Sequence, residues 1–78
     1  MISAVKDMHF KTDGIKLPSD SSKLFSNFKE VIRGSEKLNT DDVVNMASMF
    51  SGAKQATPDV LHWNTSNVVN MKDMFNGA

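Results

Sequence analysis

Asn39-Thr40-Asp41-Asp42-Val43-Val44-Asn45-Met46-Ala47-Ser48-Met49-Phe50-Ser51-Gly52-Ala53 recurs as Asn64-Thr65-Ser66-Asn67-Val68-Val69-Asn70-Met71-Lys72-Asp73-Met74-Phe75-Asn76-Gly77-Ala78, with ten of the fifteen pairs identical at an offset of 25. One more period back, Leu24-Phe25 stands where Met49-Phe50 and Met74-Phe75 stand, after Ser19, Asp20, Ser21 and Ser22. A fixed period of this length signals supersecondary units that bury their apolar faces only by stacking on one another. Four of the six methionines belong to the repeat. They therefore read first as packing residues and not as a redox or metal cluster.

Within a unit, Val43, Met46, Met49, Phe50 and Ala53 fall at a spacing that places them on one side of a helix, and Val68, Met71, Met74, Phe75 and Ala78 repeat it. The preceding Thr, Asp, Ser and Asn residues suit a helix N-terminus, and Gly52 and Gly77 suit a left-handed C-terminal residue. The spacing predicts a helix of two to three turns per unit, too short to persist uncovered. Val5–Phe10, Phe28–Ile32 and Val60–Trp63 read as strands from their β-branched and aromatic content. Leu17-Pro18 and Thr57-Pro58 mark turns. The expected fold is α/β: a short solenoid of about three strand-turn-helix units with a small parallel sheet. It forms a single domain over 1–78, with an opening unit at 1–27, a first full unit at 28–53 and a second at 54–78.

Composition narrows the function classes. Nine Lys plus Arg offset nine Asp plus Glu, which argues against a nucleic-acid binder. The balance is uneven along the chain, with seven basic and five acidic side chains in residues 1–37 and two and four in residues 38–78, an asymmetry too small to name a partner. Without cysteine there is neither a disulfide nor a thiolate metal site, and with no apolar run of about 18 residues direct membrane insertion is not expected. Met1–Asp7 places charge where a signal peptide needs an apolar run. His9 and His62 have no ligand spacing around them, the serines lack a G-x-S-x-G setting, and the four glycines are spaced as turn residues. The chain reads as non-enzymatic, with no catalytic residue, cofactor or metal.

Trp63 followed by Asn64–Ala78 resembles the BspA-like bacterial surface protein repeat of about 25 residues, whose units read approximately W-[ND]-T-S-N-V-x-N-M-x-x-M-F-x-x-A. Asn39–Ala53 is similar, with Leu38 in the tryptophan position and Asp41-Asp42 in place of Ser-Asn, and Asp13–Phe25 resembles the segment that opens such arrays. The resemblance implies a leucine-rich-repeat-like solenoid at the cell surface or secreted, associated with adhesion and protein contact. It implies no catalytic residue and no cofactor. The chain departs from it in lacking an export signal and in ending at Ala78, on the last residue of an expected helix, which reads as a fragment, a truncated open reading frame or a small member.

The expected repeat core is Leu24, Phe25, Val43, Met46, Met49, Phe50, Val68, Met71, Met74 and Phe75. Asn45 and Asn70 are expected to stack as a ladder bonded to neighbouring backbone. The last unit has an uncovered apolar end, so Trp63, Val68, Met71, Met74 and Phe75 form the candidate interaction surface. Its partner is another protein or a second copy, most simply in a twofold homodimer through that end. Two functions follow: a surface module for protein contact or adhesion, or a self-associating scaffold without an external ligand.

Overall fold

The computed structural model describes residues 8–78, and its regular elements are short. Strand β1 (Met8–His9) pairs in parallel with β3 (Ile32–Arg33), and β2 (Ile15–Lys16) pairs in parallel with β4 (Leu38–Asn39). A 3-10 helix, Ser35–Lys37, separates β3 from β4. The start of the first expected strand and the segment read against an export signal lie in residues 1–7, outside the described residues.

Most of the chain is organised by backbone bonds between successive coils. The N–H groups of Ser21, Lys23, Phe25 and Asn27 donate to the carbonyls of Asn45, Ala47, Met49 and Ser51. One repeat later Met46, Ser48, Phe50 and Gly52 donate to Asn70, Lys72, Met74 and Asn76. Each donor reaches the carbonyl just before its own repeat counterpart, so the offset of 25 in the sequence is the register of the stack. Intervening amides bond within their own coil: Met49, Ser51 and Ala53 donate to Met46, Ser48 and Phe50, and Met74, Asn76 and Ala78 to Met71, Asp73 and Phe75. Each such bond closes a four-residue turn.

Among the described residues there is no α-helix, so the helix expected over each Met/Phe segment is corrected to a run of turns. Two causes act together. Alternate amides are committed to the next coil and cannot serve an i→i−4 ladder. Left-handed residues also recur every fourth position, at Lys23 (φ 58) and Asn27 (φ 61), Ser48 (φ 56) and Gly52 (φ 73), Asp73 (φ 57) and Gly77 (φ 72), and such residues break a right-handed helix. Turns with i→i+3 bonds still bring Met46, Met49, Phe50 and Ala53 to one side, where all four are buried. That geometry reproduces a helical spacing in sequence. Gly52 and Gly77 are left-handed as expected, but each sits at the third position of a closing turn. The strand expected over Val60–Trp63 is likewise a turn, closed by Trp63 N–H donating to Val60.

Asp20, Asn45 and Asn70 pair across the coils as parallel bridges. The expected asparagine ladder is thus a ladder of backbones, and the side chains act locally. Asn45 Oδ1 accepts from Ala47 N–H at 2.9 Å, and Asn70 Oδ1 from Lys72 N–H at 3.0 Å, the bond of an Asx turn that starts each run of turns. Asn45→Ala removes the acceptor from a half-buried amide and is expected to lower stability by about 1 kcal/mol. Asn45→Asp, which keeps the oxygen as Asp20 does, is expected to cost less, and urea melts of the two variants check the difference.

Candidate interaction face

The aromatic rings define the axis of the stack. Phe25 and Phe50 stack at 5.3 Å and 8°, and Phe50 and Phe75 at 5.5 Å and 3°. Parallel rings follow because the three residues share one repeat position and the inter-coil bonds fix their backbones in register. Trp63 tilts against Phe50 at 6.0 Å and donates its indole N–H to the Ser35 carbonyl at 2.9 Å. Buried polar groups reach across in the same way. Ser35 Oγ donates to the Asp59 carbonyl at 2.9 Å and accepts from Asp59 N–H at 2.8 Å, while Thr40 Oγ1 donates to the Asn64 carbonyl at 3.0 Å.

Equivalent positions differ sharply in exposure between the second and third coils. Met46 is 0 % and Phe50 1 % exposed, whereas Met71 is 45 % and Phe75 48 % exposed. Of the expected core, Phe25, Val43, Met46, Met49, Phe50 and Met74 are buried, Leu24 and Val68 are half-buried, and Met71 and Phe75 lie open. The expected interaction surface is therefore divided. Met71 and Phe75 are available, Val68 is partly available, Met74 is internal, and Trp63 is half-buried with its N–H engaged inside the chain. Leu61 and Val69 add exposed apolar surface to the third coil.

Leu17, Phe28, Ile32, Leu38, Ala53 and Ala56 also belong to the buried core, although the expected repeat core omits them. Phe28 has a readable signal: it follows Phe25 by three residues, as Ala53 follows Phe50 and Ala78 follows Phe75. Leu38 and Ile32 lie in the parallel strand pairs, where burial depends on a register that a single unit does not reveal.

Charged groups lie on the surface. Lys16 Nζ meets Asp42 at 3.0 Å, and that hydrogen bond, followed by the carboxylate charge, raises the lysine pKa. The hydroxyl and backbone N–H of Ser22 both donate to Asp20 and hold its carboxyl below the ordinary aspartate value. His9 and His62 are exposed, and among the described residues no three His, Asp or Glu side chains are grouped to hold a metal. A groove of about 650 Å³ is lined by Asn27, Lys29, Gly52, Lys54 and Gln55. It offers ammonium and carboxamide groups without an acid–base pair or nucleophile.

A family model described as "Mycoplasma protein of unknown function, DUF285" matches residues 2–78. No curated protein and no solved structure matches the chain.

Proposed function

The chain belongs to this mycoplasma family across residues 2–78, and from that premise we propose that it is a non-enzymatic, BspA-like repeat module of the bacterial surface, made for contact with other proteins. The described residues of its three units, 1–27, 28–53 and 54–78, make a short open solenoid of strands and turns. The observation that carries the reading is the open third coil. Met71 and Phe75 lie open where their counterparts Met46 and Phe50 are buried, and Leu61 (81 % exposed) and Val69 (82 % exposed) add apolar surface to the same unit. Exposed large apolar side chains gathered on one unit of a small protein suit a contact site, and a flexible methionine such as Met71 suits partners of varied shape. No helix among the described residues is long and apolar enough to cross a membrane.

A panel of purified extracellular-matrix and bacterial-envelope proteins tests the reading. Saturable binding to at least one is expected, weakened about tenfold or more by Leu61→Ser with Val69→Ser, as for interface anchors. Both residues are largely exposed, so the double variant should stay folded. Absence of saturable binding across the panel would overturn the adhesion reading. Self-association without an external ligand is the second reading, favoured by the same open coil.

A further inference from the structure

The stack has two unlike ends. Along 21–27 and 46–52 the inter-coil bonds run from an N–H of one coil to a carbonyl of the next coil along the chain, while just ahead of these runs Val44 and Asn45 donate back to Ser19, and Val69 to Val44. At the outer edge of the third coil, the N–H groups of Met71, Asp73, Phe75 and Gly77 have no acceptor among the described residues. These are the repeat counterparts of Met46, Ser48, Phe50 and Gly52, whose N–H groups all bond across the stack. At the opposite edge, the carbonyls of Asp20, Ser22, Leu24 and Ser26 have no donor among the described residues. They are the counterparts of the Asn45, Ala47, Met49 and Ser51 carbonyls, which all accept. One edge thus presents donors at every second residue, and the other presents acceptors at the same spacing.

We propose that copies of this chain associate head to tail, the third-coil donors of one copy bonding the first-coil acceptors of the next. The inference rests on the reading of the open third coil as a contact face, and it names a second copy as the occupant. Charge supports the same pairing. Lys23, Ser48 and Asp73 share one repeat position, so Lys23 of the second copy would stack directly on Asp73; both residues are exposed in the single chain. Leu24, half-buried at the acceptor edge, supplies apolar surface near Met74 and Phe75.

The alternative is the twofold dimer expected from sequence. It would set the third-coil N–H edge against itself, leaving donors desolvated without acceptors. Head-to-tail contact is also open-ended, so association should not stop at two copies.

Sedimentation velocity on the full chain at low ionic strength, from micromolar to millimolar concentration, decides the matter. The wild-type weight-average mass is expected to climb past that of a dimer. Lys23→Asp and Asp73→Lys are each expected to weaken association roughly three- to fivefold, the scale of an exposed ion pair. Lys23→Asp combined with Asp73→Lys in one chain, or a mixture of the two single variants, is expected to restore it. Aspartate tolerates the left-handed conformation, and lysine already holds it at position 23, so both variants should fold. A wild-type monomer at every concentration would overturn the proposal. So would a dimer that does not grow, or one indifferent to Lys23→Asp. A folded monomer that still binds a protein of the panel would sink this inference alone. Head-to-tail association without any panel binding would leave it standing while the adhesion reading falls.

Discussion

Phe50→Ala is expected to unfold most of the chain at room temperature. The ring is buried, and it is the middle member of the Phe25–Phe50–Phe75 stack. Truncating a buried phenylalanine costs about 3–5 kcal/mol, and each of its two ring stackings adds about 0.5–1.5 kcal/mol beyond area burial. A chain of this length has a total stability on the order of 4–12 kcal/mol, so the loss takes much or all of it. Phe75→Ala, at a position 48 % exposed, removes one stacking partner instead of two and should cost less than half as much. Trp63 lies against Phe50, so its fluorescence during a urea melt reports the difference. A Phe50→Ala midpoint close to that of the parent would show that the ring ladder does not hold the coils.

Gly34→Ala is the second large effect, and it arises from the backbone. Gly34 is left-handed at φ 80, and a Cβ there would overlap the Phe10 carbonyl oxygen and lie 2.9 Å from its carbon. That carbonyl belongs to a stretch pinned to the second coil by Phe10 N–H donating to Arg33 at 2.8 Å, next to the β1–β3 pair. The neighbour is main chain and cannot step aside as a side chain would. The substitution therefore combines roughly 1–3 kcal/mol of left-handed strain with the loss of the β1–β3 pairing. Gly14→Ala is the control: Gly14 has nearly the same φ, 77, with nothing within 4 Å of the added carbon. Its expected cost is about 1 kcal/mol. Equal melting temperatures for the two variants would mean that the close approach at Gly34 is not decisive.

Legibility in the sequence divides along physical lines. The offset of 25 is readable because a stack requires repeat counterparts to lie over one another, and the inter-coil bonds use that register. Phe50, Met46 and Met49 are legible as core for the same reason, since identity at fixed spacing marks positions that must fit two neighbours. The spacing suggests helices that do not form because consecutive i→i+3 turns bury positions 46, 49, 50 and 53, the same positions a helix would use. Ser48 and Asp73 carry left-handed backbone without the glycine that advertises it at positions 52 and 77. The candidate face is legible as an uncovered last unit, but the engagement of Trp63 with Ser35 is not. That bond joins residues 28 apart and so does not follow the repeat. The polarity of the two ends is a property of backbone direction, which side-chain patterns do not encode.

Amide hydrogen exchange on the dilute monomer tests the stack of coils most directly. Slow exchange is expected at Phe25, Met46, Ser48 and Phe50, whose N–H groups cross between coils, and fast exchange at Met71, Asp73, Phe75 and Gly77 on the open edge. Raising the concentration until copies associate should slow those last four. The same protection in 71–77 as in 46–52 in the dilute monomer, as independent helices in each unit would give, would contradict the account.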